Sequence, residues 1–307
     1  MEFGNVPPEE LPSIDFTLPP DPQLTTATLQ TSNRVGDFQV HVGCTKWALK
    51  QWIGYLYPVN VKDAFDSLPE YSKQFNTIEF GPTFYSPYSA DDIRSKWTSK
   101  VENSPDFKFC PRMAQGITHL RRLKNADPQT KHFFDSLEGF DNHLGPILMQ
   151  MGEPFGPNYF EALKDFLPQI PRGFQVNIEV REKNWFAKPD DRSRLYDLLH
   201  AHNIGAVITD APGRRDVVHM QLPTPHAFIR FVGNNGSQLE KDRLDEWIER
   251  INQWANAGLE SLWFFMHQHD ELYAPYACRY LIQKLNKSLG LNIKEPVMYE
   301  EVLTSLH

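Results

Sequence analysis

The chain has 307 residues, 40% hydrophobic and 13% aromatic, with a formal net charge of -8. That length and apolar content suit one large domain or two small ones with a packed core. The acidic balance disfavours broad nucleic-acid binding, which needs a basic face, and no apolar run approaches the roughly 20 residues of a membrane span.

Taken in chain order, residues 1–34 come first and differ from the rest. Six prolines (Pro7, Pro8, Pro12, Pro19, Pro20, Pro22) break any helical or strand period there, because proline removes a backbone donor and restricts its predecessor. This segment is expected to be an extended or disordered Pro-rich N-terminal arm. The alternative is an arm packed across the fold on Phe3, Leu11, Phe16 and Leu18. It has no basic region followed by an apolar stretch, so no signal peptide is expected.

Eight short apolar runs follow: Phe38–Cys44, Thr77–Thr83, Phe107–Arg112, Pro146–Gly152, Phe174–Arg181, Gly205–Asp210, Ala227–Gly233 and Ser261–His267. Helix-like segments fill most of the gaps. Val61, Ala64, Phe65, Leu68, Tyr71 and Phe75 form one apolar stripe at steps of three and four. Leu244, Trp247, Ile248, Ile251 and Trp254 form another, and Leu272, Tyr276, Tyr280, Leu281 and Leu285 a third. Strand alternating with helix eight times predicts an α/β fold, a single (β/α)8 TIM barrel over residues 35–290. Residues 291–307 read as a short helix and tail. Cys44, Cys110 and Cys278 are odd in number and lack CxxC spacing, which predicts a reduced, cytoplasmic protein. Cys44 and Cys110 read as small core residues.

Nearly every run ends in a polar or charged residue, and in such barrels the chemistry sits at the strand ends. In Gln175-Val-Asn177-Ile-Glu179-Val-Arg181 all polar residues share one parity. That parity predicts Glu179 and Arg181 inside the barrel, climbing to its C-terminal mouth in a network with Glu79 or Asp210. The plain alternative is an ion pair that only satisfies itself. Glu79, Glu179 and Asp210 are the candidate acids and bases. Lys46, Trp47, Tyr85, Arg112, Gln150, Arg181, Trp185, Arg230 and His267 are the candidate ligand-binding residues. Carboxylates with a histidine suit a divalent metal, and arginines suit a phosphate or carboxylate. The acids and arginines balance, which favours a small anionic ligand over a metal cage, so neither a metal nor a cofactor is expected. The loop aromatics form either a stacking wall or a cap on the top of the barrel. No Gly-rich phosphate loop, GxSxG or HExxH motif is present.

Several segments resemble a known family. Gly43-Cys-Thr-Lys-Trp47 with Trp52, Gly54, Tyr57 and Pro58 is similar to the opening signature of the YecE-like family, also called domain of unknown function 72. Phe75-Asn-Thr-Ile-Glu79 with Thr83-Phe-Tyr85, Ile117-Thr-His119, Leu144–Gln150, and Glu179-Val-Arg181 with Trp185 resemble four more. The resemblance runs from about Val40 to Lys284 and implies a TIM barrel without implying a reaction. It carries over Glu79, Gln150, Glu179, Arg181, Asp210 and Arg230 as site positions. The chain departs from the family pattern at Arg112, where relatives usually have lysine. It departs again at Arg230-Phe-Val-Gly233, which lacks the usual histidine, and at Phe265-Met-His267-Gln-His269, where Phe-Asn-Asn is common.

Two functions follow from these readings. One is an enzyme, a hydrolase or an isomerase or lyase, acting on a phosphorylated sugar or nucleotide-like anion by acid/base chemistry. The other is a non-catalytic barrel that binds a ligand or partner. An acid left unneutralised in a solvent-reachable pocket favours the first, and acids all paired with arginine favour the second. Oligomeric state is left open.

Overall fold

The computed structural model describes residues 3–34 and 36–299. Eight strands alternate with helical segments: β1 (Gln39–Cys44), β2 (Thr77–Phe80), β3 (Lys108–Pro111), β4 (Ile147–Gln150), β5 (Val176–Glu179), β6 (Gly205–Asp210), β7 (His226–Val232) and β8 (Ser261–His267). All pair in parallel, in the order β3-β2-β1-β8-β7-β6-β5-β4. Parallel bridges Phe109–Leu144 and Arg112–Leu148 span the gap between β3 and β4. The result is a nearly closed (β/α)8 barrel. Strands end where the chemistry changes. Pro82 follows β2 and opens the helical turn Pro82–Tyr85, as proline favours the first turn of a helix.

Alternation sorts the side chains. Val40, Val42, Ile78, Phe80, Ile147, Met149, Val176 and Ile178 belong to the large core between sheet and helices. Cys110, Leu148, Val207, Phe228, Trp263 and Phe265 take the opposite parity and form a separate cluster filling the barrel. His41 stacks on Trp263 at 3.8 Å beneath them. β1 presents Gly43 to this crowded interior, because a Cβ there would lie 2.0 Å from the Thr77 carbonyl oxygen.

The outer helices differ in how well their stripes match the packing. In Gln238–Ala257 the expected residues Leu244, Trp247, Ile248, Ile251 and Trp254 are all buried. In the first stripe Phe65 is 71% exposed. The chain turns helical only at Ala64–Ser67, where the Asp63 carboxylate caps Phe65 N–H, and the α-helix proper is Leu68–Gln74. In Ala274–Leu289 the buried face is Ala277, Cys278, Leu281, Ile282 and Leu285, and Tyr276 lies outside it at 45% exposure. Residues 291–298 carry no helix, with Met298 buried; residues 300–307 of the expected tail lie outside the described residues.

The arm is packed rather than loose. It contains a helix, Gln23–Gln30, beginning after Pro22. Phe3, Phe16 and Leu18 are buried, while Leu11 is only half-buried. Phe3 lies under the guanidiniums of Arg181 and Arg214 at 4.2 and 4.8 Å, and Gly213 N–H donates to the Gly4 carbonyl at 2.8 Å. Phe16 lies against Arg243 and Arg215 at 4.7 and 5.2 Å. Asp21 accepts from Arg250 at 2.6 Å and from the Trp254 indole at 2.9 Å. Proline removed the periodicity of this segment but not its apolar anchors.

Candidate functional site: the C-terminal mouth

Above the apolar plug the inner parity becomes ionic. Arg230, on β7, lies between two carboxylates. Its Nε and Nη2 donate to Glu79 at 2.8 and 2.9 Å. Its Nη1 donates to both oxygens of Glu179 at 3.0 and 2.9 Å. Arg181 adds Nη2 bonds to Glu179 at 3.2 and 3.0 Å, and the Thr209 hydroxyl donates to the same carboxylate. The His267 ring nitrogen Nε2 lies 3.3 Å from Glu79. The network thus joins β2, β5, β6, β7 and β8.

Burial disfavours the ionised form of both acids, but nearby charges outweigh it. Glu79 is held well below the usual carboxylate range by Arg230 and His267. Glu179 is lowered to about 2 by Arg181, Arg230 and Thr209. Both are therefore fixed anions whose oxygens are already occupied, which makes them unsuited to donating a proton. His267 is lowered to about 4 by burial and by Arg230 against the pull of Glu79, so it is neutral near pH 7. Among the described residues no group of three His, Cys, Asp or Glu side chains is arranged to hold a metal.

Arg112 differs from the other two mouth arginines. Its Nη2 donates to Gln150 Oε1 at 3.0 Å, and its guanidinium lies 4.0 Å over the Phe84 ring. Its buried Nε meets no acceptor among the described residues. The carboxylates beside it are bonded to Arg230 and Arg181 instead. Among the described residues, two anions stand against three guanidiniums, and Arg112 is the guanidinium bonded to neither.

The structure does not bring every expected residue to this place. Asp210 points the other way. It follows Thr209 on β6, and since Thr209 takes the inner face, Asp210 takes the outer one. There it accepts from Arg243 at 2.8 Å, from the Trp247 indole at 2.7 Å and from Arg215, so it is a tie between β6 and an outer helix. Trp185 is fully buried and donates to the Phe155 carbonyl at 2.7 Å. Trp47 is a core residue stacked 5.9 Å from Phe80. Lys46 is 57% exposed and pairs with Glu271 at 3.4 Å. Tyr85 is 66% exposed and, with Phe84, Tyr88 and Phe133, lines an apolar cavity of about 400 Å3 beside the mouth. The loop aromatics are thus mostly packing.

Two residues were not singled out as site candidates. Thr209 is one, on a strand whose alternation suits either face. His119 is the other. It lies in a π-helical turn, Gly116–Leu120, packed edge-on to Phe84 with ring centroids 5.0 Å apart. Its ring also comes within 3.3 Å of where a Cβ on Gly152 would lie.

An eight-stranded barrel whose mouth holds a buried arginine–glutamate lattice defines this as a TIM-barrel protein of polar, cationic mouth. The chain belongs to the family described as protein of unknown function DUF72, whose model matches residues 41–298. It is 25% identical over 268 residues to the UPF0759 protein YecE of Escherichia coli K12, covering 81% of this chain and 94% of that one. Two solved structures share the fold. A DUF72 family protein of Enterococcus faecalis V583 has TM-score 0.62 and 16% identity, over 83% of this chain and 99% of that one. A DUF72 family protein of Thermotoga maritima MSB8 has TM-score 0.58 and 21% identity, over 82% of this chain and 100% of that one.

Proposed function

We propose that the mouth binds a small anionic metabolite, of the phosphorylated-sugar or nucleotide-fragment class, with Arg112, Arg181 and Gln150 facing the ligand. The observation that carries this reading is Arg112: a largely desolvated guanidinium that, among the described residues, has a buried N–H lacking an acceptor and no carboxylate of its own. A buried donor without a partner costs about 1–3 kcal/mol, and a planar guanidinium recovers this best from a phosphate or carboxylate. Glu79 and Glu179 act as counter-charges that hold Arg230 and Arg181 in place. With both acids neutralised, recognition is the primary role, and acid/base chemistry requires another group. Among the described residues no helix is long and apolar enough to cross a membrane.

Isothermal calorimetry with inorganic phosphate, sulfate and sugar phosphates tests it. Saturable binding to the native chain is expected, weakened at least tenfold by Arg112→Gln, since charge-assisted bonds contribute about 1.5–3 kcal/mol each. Absence of binding by the native chain, or equal binding by the variant, would overturn it.

A further inference from the structure

We infer that His119 is a proton acceptor at the mouth, facing the anion that Arg112 holds. This rests on the anion-binding reading above and adds a residue and a chemistry to it. The two glutamates are locked to arginines, and His267 is buried against Glu79. Lys46 and Tyr85 extend into solvent. His119 is half-buried, so it is both held and reachable.

Its placement is built from several elements. Phe84, after β2, touches two groups: its face lies against the Arg112 guanidinium at 4.0 Å and it meets the His119 ring edge-on. Gly152, after β4, leaves room on another side of the ring. Thr118 Oγ1 lies 2.9 Å from His119 Nδ1 and 3.3 Å from the Ala114 carbonyl. With the hydroxyl donating to that carbonyl, Nδ1–H donates to Oγ1 and the lone pair resides on Nε2. No partner of Nε2 is found among the described residues. The backbone is also bent to reach this arrangement. π-Helical turns occur often at functional sites. Just after this one, Arg122, Leu123 and Asn125 adopt φ values of 48°, 69° and 52°, left-handed conformations that cost free energy in residues with a side chain.

The charges His119 faces are Arg112 on β3 and Arg181 and Glu179 on β5. Burial, then the two arginines, lower its pKa from 6.5, with Glu179 opposing. It is therefore neutral near pH 7 and able to take a proton. In the step proposed, Nε2 removes the proton from a hydroxyl of the bound anion, leaving an alkoxide and an imidazolium. The O–H bond breaks with its electron pair left on oxygen as an N–H bond forms on Nε2, and the reverse transfer restores the hydroxyl, so no co-reactant is consumed.

The test uses inorganic sulfate, whose charge is constant over the range, on the full chain between pH 5 and 8. An anion beside His119 raises its pKa, so by linkage sulfate binds more tightly as pH falls. A rise of one pKa unit corresponds to about tenfold in affinity. The native chain should show this gain, and His119→Gln should lose it, its affinity staying flat as pH falls. Nitrogen-15 NMR of the histidine ring should show the His119 titration move up on adding sulfate. If sulfate binds through Arg112 but the His119 titration stays put, this inference fails and the anion reading stands. If sulfate and phosphate both fail to bind the native chain, both fail.

Discussion

Arg230 meets Glu79 across the barrel mouth through two parallel N–H···O bonds of 2.8 and 2.9 Å, although 151 residues separate them in the chain. The remaining nitrogen of the same guanidinium reaches Glu179. One side chain thus bridges two buried anions from different strands, and Arg181 supplies the second positive charge.

Removing Arg230 should therefore be severe. Arg230→Met leaves Glu79 without its guanidinium partner and takes two bonds from Glu179, which keeps Arg181 and Thr209, and breaking a buried pair costs about 3–5 kcal/mol. Urea unfolding of the variant measures this. A double change, Glu79→Gln and Arg230→Met, should recover much of the loss, since Glu179 keeps its pair with Arg181 and the uncompensated Glu79 charge is gone. A single variant as stable as the native chain would contradict the lattice.

Acid should dissolve the lattice in a defined window. Glu179 titrates near 2 when folded, against 4.5 ordinarily. A depressed carboxyl contributes stability that is complete above the unfolded value and is lost as pH falls through the folded one. Between pH 4.5 and 2 the native chain should lose stability faster than Glu179→Gln does. Parallel slopes for the two in acid denaturation would count against it.

A second window lies just above. His41, His219 and His267 are each lowered from 6.5 to about 4, burial being the main cause. Below pH 6.5 the unfolded chain binds protons that the folded chain refuses, so stability should fall as pH drops from 6.5 to 4. Each histidine contributes up to about 1.4 kcal/mol per pH unit there. Unfolding free energies at pH 7, 5.5 and 4.5 would reveal this, and a flat profile would exclude it.

The arm should matter to stability. Phe16 is buried between Arg215 and Arg243, whose other contacts fix Asp210. Phe16→Ala should cost about 3 kcal/mol and expose the first 22 residues to protease. Unchanged melting and an unchanged digestion pattern would show the arm to be incidental.

Much of this architecture could be read from residue order, for a physical reason. Each strand is short, apolar and bounded, so all eight strands fall in or beside an expected run. β5 disclosed its inner face because Asn177, Glu179 and Arg181 share a parity while Val176, Ile178 and Val180 share the other. β6 disclosed nothing of the kind. Gly205, Val207 and Thr209 alternate with Ala206, Ile208 and Asp210, and either set suits either face. The outward turn of Asp210 is decided by Arg215, Arg243 and Trp247, which come from later segments. His119 stood out only within the family-like segment Ile117-Thr-His119, and its place at the mouth was hidden, since its surroundings are contacts with Phe84 and Gly152 that no local period encodes. Trp185 read as a loop aromatic because its acceptor, the Phe155 carbonyl, lies 30 residues away.

The barrel is not equally stiff all round. β8 is paired with β7 along its whole length and with β1 from Ser261 to Met266, whereas among the described residues two isolated bridges join the β3 and β4 segments. Arg112 and Gln150 stand on opposite sides of that seam and are joined across it. An anion held by Arg112 and Arg181 would add a second link, from the β3 side to the β5 side. The ligand would then act as a clasp across that seam. The amides that cross the seam, Gly145 N–H to Phe109 and Met113 N–H to Leu148, would be the first to exchange with deuterium in the empty barrel and the most slowed in the filled one.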